Sequence, residues 1–454
     1  MKKLAILLII ALCLPLFAAC EGQDKMEEWS ELPTGAPSEI ATEAEAEVET
    51  QAITEEILTN AEETTNEEVT TTEEVTTKEE MTTESNTEIK TEPETEDVME
   101  QVDFIVSIPE GKEPVILHLT DPQIIDASQT RSADRLNATT EEYWAPERID
   151  ENCYDYIREI IAKTNPDLII LTGDIVYGEF DDNGENFLSF ISFMESFNIP
   201  WAPVFGNHDN ESNKGVDWQC AQLETAKNCL FKQRTLTGNG NYTVGIEQGG
   251  KLTRVFFMLD SNGCGAASSA SMANGHTQKT AGFGSDQIAW YTSVAQKIKA
   301  LSPDTKLSMA FHIQISAFGD AMSQYTVDGS NKNVFIDEAA TKREGDFGFT
   351  GRGLKGAWDD NYTVWNSIKA LDFDSVFVGH EHSNSSSIVY EGIRLQYGMK
   401  CSTYDRNNYI KADGTIVVAE YYSTETPWLG GSVFSLGSAG DIKDPHIYYC
   451  GSNI

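Results

Sequence analysis

Basic residues are scarce in this sequence of 454 residues. It contains 32 lysines and arginines against 73 aspartates and glutamates, which gives a formal net charge of −41 at pH 7. A protein that binds nucleic acid needs a basic surface to neutralise the phosphate backbone. The charge balance therefore disfavours nucleic acid as a partner.

Two further patterns are missing from the sequence. The eight cysteines form no Cys-x-x-Cys pair, and no cysteine–histidine spacing is typical of a zinc site. Beyond the N-terminus no apolar run is long enough to span a bilayer, and no internal repeat is apparent. The sequence therefore gives no indication of a cysteine zinc site or of a second transmembrane segment.

The N-terminus has the pattern of an export signal. A basic start over residues 1–3 precedes an apolar run over residues 4–14 that is too short for a mature transmembrane helix. The following Leu-Phe-Ala-Ala-Cys resembles the lipobox of bacterial lipoproteins, which implies cleavage before Cys20 and lipidation of that residue. We predict that residues 1–19 are a lipoprotein signal peptide, and that the exported protein is lipid-anchored to the cell membrane and faces outside. An ordinary secretory signal cut after Ala19 is the alternative.

A long Thr/Glu-rich segment follows the signal. Residues 21–100 hold 27 acidic and three basic residues. Such a segment has too little apolar surface to offset the entropy of ordering, and its self-repulsion extends it. We predict that residues 20–105 are a disordered acidic linker and that residues 106–454 form the folded domain.

Six cysteines lie in the predicted domain. Export places them in an oxidising compartment, where disulfides persist. Cys220 and Cys229 are near enough in sequence to close a small loop, and we predict a disulfide between them.

The predicted domain alternates strands and helices. Apolar runs predict strands at residues 115–119, 168–171, 201–205, 255–260, 307–311 and 374–378. Helical spacing of apolar residues predicts helices at residues 146–164, 187–197, 285–301 and 362–371. Ser285 is the predicted N-cap of the third helix. The alternation predicts an α/β fold with a largely parallel sheet covered by helices on both faces.

Polar side chains follow five of these strands, at the point where each strand ends. They are Asp121 with Gln123, Asp174 with Tyr177, Asn207 with His208, His312 alone, and His380 with His382. In open α/β sheets, ligands collect at the carboxyl ends of the strands. Carboxylate, amide oxygen and imidazole are metal ligands, and several at one sheet edge suggest two metal ions. By contrast, His118 lies inside a strand and is predicted to be a core histidine.

The order of these motifs resembles the calcineurin-like metallophosphoesterase superfamily, over about residues 115–384. The superfamily pattern is D-x-H, G-D, G-N-H-[DE], a lone His after a strand, and G-H-x-H. This sequence has the motifs in that order, with Gln123 in place of the first His. The resemblance implies a four-layer α/β/β/α sandwich with two mixed β-sheets and metal ions at the strand ends.

Tyr177 offers a compensation for the missing His. Purple acid phosphatases, a branch of the superfamily, lack that His and use a Tyr from G-D-x-x-Y, which residues 173–177 supply here. A Tyr ligand favours iron at its site, with zinc, manganese or iron at the other. In the alternative, Tyr177 only packs and Gln123 ligates through its amide oxygen.

The resemblance also implies two ligand sets. The first metal takes Asp121, Asp174, Tyr177 and His382. The second takes Asp174 as a bridge, with Asn207, His312 and His380. Gln123 is then a weak ligand of the first metal or a neighbour of its ligands.

The resemblance implies hydrolysis of a phosphoric ester by attack of a metal-bound hydroxide. Asp174 bridges the metals, and His208 faces the phosphate, where it stabilises charge or protonates the leaving oxygen. Candidate substrate contacts are Asn210, Arg352 and Asn384. We predict a phosphomonoesterase similar to acid phosphatases, which acts on a phosphorylated small molecule or envelope component and contacts the membrane only through its lipid. The alternatives are a phosphodiesterase and a non-catalytic envelope binding protein.

Overall fold

The computed structural model describes residues 97–125, 146–178, 183–263, 282–325, 334–350, 362–382, 384–401, 406–410, 416–420 and 430–450. The predicted signal peptide, Cys20 and the linker up to residue 96 lie outside these ranges. Within them, none of the helices combines the length and the apolar character that crossing a bilayer requires.

The described residues form the following elements. The strands are β1 (Phe104–Ile108), β2 (Val115–Leu119), β3 (Leu168–Thr172), β4 (Trp201–Val204), β5 (Tyr242–Gln248), β6 (Lys251–Met258), β7 (Lys306–Ala310), β8 (Val334–Phe335), β9 (Phe349–Thr350), β10 (Phe373–Val378), β11 (Ser387–Tyr390), β12 (Ile393–Tyr397), β13 (Arg406–Ile410), β14 (Ile416–Glu420), β15 (Gly430–Leu436) and β16 (Ile442–Tyr449). The helices are α1 (Pro146–Thr164), α2 (Glu185–Glu195), α3 (Val216–Thr225), α4 (Ser285–Leu301), α5 (Ala317–Ser323) and α6 (Thr363–Ala370).

Two mixed sheets form the framework. One has the strand order β16-β15-β2-β3-β4, in which β2, β3 and β4 are parallel. The other has the order β1-β5-β6-β7-β10-β12-β11, in which β6, β7, β10 and β12 are parallel neighbours. The prediction of two mixed sheets is confirmed.

The two sheets pack face to face. Phe377 of β10 lies 5.4 Å from His118 of β2, centroid to centroid, and stacks 5.2 Å from Phe434 of β15. The neighbours of Phe377 in the strand, Val376 and Val378, belong to a second apolar cluster on the opposite face. Successive residues of a strand point to opposite faces, so this sheet buries both sides.

Helices cover the outer faces of the sheets. Helix α1 packs against β2 and β15. Phe187 and Phe190 of α2 belong to the apolar cluster that includes buried apolar residues of β2, β3 and β4. On the other sheet, Tyr291 of α4 and Trp365 of α6 belong to the cluster of Val376. The predicted four-layer α/β/β/α arrangement is confirmed.

The predicted domain start at residue 106 falls inside β1. This strand begins at Phe104 and pairs in parallel with β5. Asp103 immediately before it is held by the Arg234 guanidinium, at 2.5 Å and 2.7 Å, and by the backbone N–H of Thr243 at 3.0 Å. The strand was missed because it is short and directly follows the acidic segment.

Two details of the predicted helices are corrected. Helix α2 begins two residues before the predicted start and ends at Glu195 rather than 197. The N-cap of α4 is Gly284 rather than Ser285. The side-chain oxygen of Gln287 accepts a hydrogen bond from the backbone N–H of Gly284 at 2.8 Å, so the cap is made from inside the first turn.

The predicted disulfide between Cys220 and Cys229 is wrong. Both residues are free thiols, buried in the core. Cys220 lies on α3, whereas Cys229 forms an isolated bridge with Trp201 of β4. Burial raises the pKa of both thiols, which therefore pack as small apolar side chains.

His118 lies in the core, as predicted. Its side chain is fully buried, and Nε2 is 2.8 Å from the hydroxyl of Thr172. Burial lowers the pKa of His118 to about 3, against a smaller opposing effect of Asp121.

Replacement of His118 with glutamine should flatten the dependence of stability on pH. In the wild type, the unfolded chain takes up a proton at His118 as the pH falls below about 6.5, whereas the folded imidazole stays neutral down to about pH 3. Stability is therefore lost over this interval, by up to about 1.4 kcal/mol per pH unit. Glutamine keeps a polar group beside Thr172 but binds no proton. Urea unfolding of the metal-free protein between pH 6.5 and 4, with exposed His446→Gln as control, measures the effect. Parallel curves for His118→Gln and wild type would contradict it.

Candidate metal centre

The predicted ligands converge where the parallel strands of both sheets end. Oδ1 of Asp121, after β2, lies 3.3 Å from Nε2 of His382, after β10. Oδ2 of Asp174, after β3, lies 3.2 Å from Nε2 of His312, after β7. That same nitrogen lies 3.2 Å from Oδ1 of Asn207, after β4. The carboxyl ends of five strands therefore build one site.

Several site residues have left-handed backbone conformations. The φ angles are +53° at Asp121, +48° at Gln123, +51° at Asp174 and +71° at His380. Non-glycine residues rarely adopt this region, and each such residue costs roughly 1 kcal/mol or more. The concentration of strained residues at one sheet edge is typical of a functional site.

Asp121, Asp174 and His382 form a compact ligand group. One ligand atom from each lies within 4.8 Å of the others. Oδ1 of Asp121 is buried and, among the described residues, receives no well-formed hydrogen bond. Burial would raise the pKa of both carboxyls, but the neighbouring imidazoles hold the pKa of each below its ordinary value. Both carboxylates are therefore ionised and suited to a cation.

His312 provides the strongest indication that the site fits a metal. Its Nδ1 donates to the carbonyl of Thr172 at 2.7 Å, so a neutral ring turns the lone pair of Nε2 toward the oxygens of Asn207 and Asp174. Without a cation the ring must hold a second proton there. Accordingly, although burial opposes it, Asp174 and then Asp121 raise the pKa of His312 to about 10. A metal ion would replace that proton.

His380 supplies a further free nitrogen. Its Nδ1 is buried and has no hydrogen-bond partner among the described residues. The ring lies 5.2 Å from that of His312, and its backbone N–H donates to Oδ2 of Asp121 at 3.1 Å. Burial, reinforced by His312, lowers the pKa of His380 to about 3. His380 is thus a neutral imidazole, the form that binds a metal.

His208 lies beside the ligands rather than among them. Its backbone N–H donates to Oδ1 of Asp174 at 2.8 Å, and its Nδ1 is 2.7 Å from Oε2 of the buried Glu211. Burial alone would lower the pKa of His208, but Glu211 and Asp174 outweigh it and raise the pKa to about 9. The sequence reasoning missed Glu211, whose only signal is its place one helical turn after His208.

Tyr177 stacks on His208. The ring centroids are 4.2 Å apart and the planes are 24° from parallel. The Tyr177 ring therefore packs against an imidazole that is not a predicted ligand. Its role as a metal ligand stays a prediction.

Gln123 bridges the site to a residue that the sequence reasoning missed. Its Nε2 donates to Oδ2 of Asp174 at 3.3 Å, and its Oε1 accepts from Nζ of Lys400 at 2.5 Å. Lys400 is 2% exposed, and its Nζ is 3.0 Å from Nδ1 of His382. Lys400 follows β12, after the last recognisable motif, so no pattern marked it.

The structure describes two of the three predicted substrate contacts. Asn210 is buried, and its amide N–H groups donate to the carbonyls of Gly206 at 3.1 Å and Gly263 at 2.9 Å. It therefore braces two loops. Asn384 is also buried, whereas Arg352 lies outside the described residues. Contact of these three residues with substrate stays a prediction.

Replacement of Gly206 with alanine should disable the site. A Cβ at this position would collide with Oδ1 and with the backbone nitrogen of Asp174. The carboxylate must then move away from His208 and His312. We expect a loss of at least about 100-fold in kcat/KM, or about 3 kcal/mol in transition-state stabilisation.

The control for Gly206→Ala is Gly111→Ala. A Cβ at Gly111 would meet open space, so this variant carries only the conformational cost of a positive φ. Metal content, thermal unfolding and turnover are compared for both. Wild-type turnover by Gly206→Ala would contradict the steric argument.

Comparisons with known proteins indicate the family of this chain. The model of the family described as calcineurin-like phosphoesterase matches residues 114–384. A protein of Arabidopsis thaliana named probable inactive purple acid phosphatase 29 is 24% identical over 329 residues, which cover 67% of this chain and 77% of that protein. Probable inactive purple acid phosphatase 28 of the same plant is 32% identical over 111 residues, which cover 21% of this chain and 28% of that protein.

A solved structure adds a more distant likeness. A dimetal phosphatase from Danio rerio aligns with 68% of this chain and 99% of its own, with 10% sequence identity and a TM-score of 0.40. The family match is the stronger finding, because it covers more than half of this chain and includes every predicted metal ligand. The chain therefore belongs to the calcineurin-like phosphoesterase family, whose members are metal-dependent hydrolases of phosphoric esters.

Proposed function

We propose that this protein is an exported phosphomonoesterase that uses two metal ions. The observation that carries the proposal is the convergence of Asp121, Asp174, Asn207, His312, His380 and His382 at five strand ends. Iron paired with zinc, manganese or iron is the proposed metal content.

The chain supplies two overlapping ligand groups. Asp121, Asp174 and His382 would hold one ion, and Asp174, Asn207, His312 and His380 the other. When bound, the two ions activate the attacking water and neutralise charge on the phosphate. The strand ends hold these side chains in place, and Asp174 belongs to both groups.

His208 supports a phosphoesterase that uses a general acid. Its Nδ1 lies 2.7 Å from the Glu211 carboxylate, which favours the protonated imidazole, and its side chain is 19% exposed. A protonated imidazole beside the metals suits donation to a phosphate oxygen or to the leaving alkoxide. Such an acid assists the departure of an alkoxide from a monoester and from a diester alike.

The rival proposal is a non-catalytic binding protein on this scaffold. The two Arabidopsis relatives carry the word inactive in their names. Against this rival, the predicted carboxylate, amide and imidazole ligands are all present, and Gln123 is the one departure from the motif pattern. Metal content separates the two proposals, because a binding scaffold has no need of two bound ions.

The test is turnover of p-nitrophenyl phosphate and of bis(p-nitrophenyl) phosphate by the full-length chain. The protein is stripped with chelator and reloaded with iron, zinc or manganese. Metal-dependent turnover that prefers the monoester supports the proposal. A preference for the diester makes the protein a phosphodiesterase. Absence of bound metal and of turnover overturns the proposal that the protein is an enzyme.

Export and lipid anchoring at Cys20 form the second part of the proposal. They are supported by the N-terminal pattern over residues 1–20 and bear on the substrate, which would be a phosphorylated small molecule or envelope component outside the cell. Expression in a bacterium fed a radiolabelled fatty acid tests this. Label in the wild type but not in Cys20→Ser is expected, and unlabelled soluble wild type would contradict it.

A further inference from the structure

A buried lysine contacts His382 of the Asp121–Asp174–His382 ligand group and Gln123 beside it. Nζ of Lys400 lies 2.5 Å from Oε1 of Gln123 and 3.0 Å from Nδ1 of His382, and the residue is 2% exposed. Gln123 in turn donates to Oδ2 of Asp174 at 3.3 Å. An ammonium group is thus built into the wall of a site that is expected to bind cations.

The partners of Gln123 determine the orientation of its amide. An ammonium group only donates hydrogen bonds and a carboxylate only accepts them. Oε1 must therefore face Lys400, and Nε2 must face Asp174. Gln123 presents N–H groups, not its oxygen, to the carboxylate that lies in both ligand groups.

The charge of Lys400 opposes metal binding at this position. Electrostatic interactions are strong in a buried site, because little water screens them. A positive charge that contacts Gln123 and His382 is repelled by a metal ion held by Asp121, Asp174 and His382. Both of these contacts of Lys400 lie on the side of the Asp121–Asp174–His382 group, so its charge acts first on that group.

We propose that Lys400 is a positioning residue that weakens cation binding at the Asp121–Asp174–His382 group and keeps the oxygen of Gln123 out of that ligand set. The inference rests on the proposed dinuclear function. It makes the group near Lys400 the weaker of two sites, which fills after the group that contains His312.

Binding of Mn²⁺ to the metal-free full-length chain tests the inference. Free Mn²⁺ is measured by its electron paramagnetic resonance signal in wild type, Lys400→Met and the control Lys251→Met, whose side chain is exposed on β6. Wild type and control should show one tight and one weak site. Lys400→Met should tighten the weak site at least tenfold and leave the tight site within threefold of wild type.

Two results of this titration overturn the inference. Unchanged binding by Lys400→Met means that the charge has no effect on the site. Weaker binding means that Lys400 supports the ligands instead of opposing the ion. If wild type binds no Mn²⁺, the proposed function fails as well, so the two failures are distinguishable.

A second variant, Gln123→Leu, tests the role of Gln123. In the wild-type background its result does not depend on the folding of Lys400→Met. Gln123→Leu in the wild-type background should change the Kd of the weak site less than threefold, because its oxygen is not a ligand. A tenfold loss of affinity would overturn this part of the inference. In the Lys400→Met background the side-chain oxygen of Gln123 is free to bind the metal ion. Gln123→Leu should there raise the Kd of the weak site at least tenfold. A double-mutant cycle of the four proteins measures the coupling between Lys400 and Gln123.

Discussion

Asp174→Asn should lower kcat/KM by at least about 1,000-fold, which corresponds to roughly 4 kcal/mol. Asp174 is buried and ionised, and its two oxygens contact the backbone N–H of His208 and Nε2 of His312. It also lies in the compact group with Asp121 and His382. Loss of its charge therefore weakens both ligand groups together.

Metal analysis distinguishes this cause from misfolding. We expect Asp174→Asn to retain fewer than two ions per chain and to keep a cooperative thermal transition. The matched control is Asp304→Asn, an exposed carboxyl in the turn before β7. Wild-type metal content together with wild-type turnover in Asp174→Asn would remove Asp174 from the site.

His208→Gln should lower kcat by about 100- to 1,000-fold without loss of metal. The imidazole is held between the ring of Tyr177, 4.2 Å away, and the carboxylate of Glu211, 2.7 Å from Nδ1. His208 is not among the predicted metal ligands around His312. Glutamine can donate a hydrogen bond from a similar position but cannot transfer a proton.

The dependence of kcat on pH provides the independent readout for His208. In the metal-free site Glu211 and then Asp174 raise the pKa of His208. Bound metal ions would cancel the contribution of Asp174, whereas the Glu211 carboxylate, 2.7 Å from Nδ1, still favours the protonated imidazole, which is lost as the pH rises. Wild-type kcat should therefore decline on the alkaline side, and this decline should be absent in His208→Gln. A variant that loses both metals, or that keeps the alkaline decline, would show that His208 acts through the ligands instead.

Both predictions rest on residues that could be found from the sequence, and the physical reason is locality. An apolar run predicts a strand, and a polar residue directly after it lies at the end of that strand. For Asp121, Asp174, Asn207 and His312 this reasoning needs fewer than ten consecutive residues. The parallel arrangement of β2, β3 and β4 then follows from the intervening helices.

Residues whose roles depend on distant partners could not be found in this way. Lys400 lies 277 positions from Gln123 in the sequence, yet the ends of β12 and β2 bring them into contact. Cys220 and Cys229 are close in sequence, but α3 and the edge of β4 hold them as separate buried thiols. Strand β1 gains its place only by pairing with β5, 140 residues away.

The sequence by itself thus determined the α/β alternation, the family motifs and the identities of the predicted metal ligands, because each is written in a short contiguous stretch. Only the tertiary structure decided the order of the seven-stranded sheet, the stacking of Tyr177 on His208, the His208–Glu211 pair and the lysine beside the first ligand group. Those features depend on which strand ends meet and which side chains are buried together. Packing of the whole chain determines both.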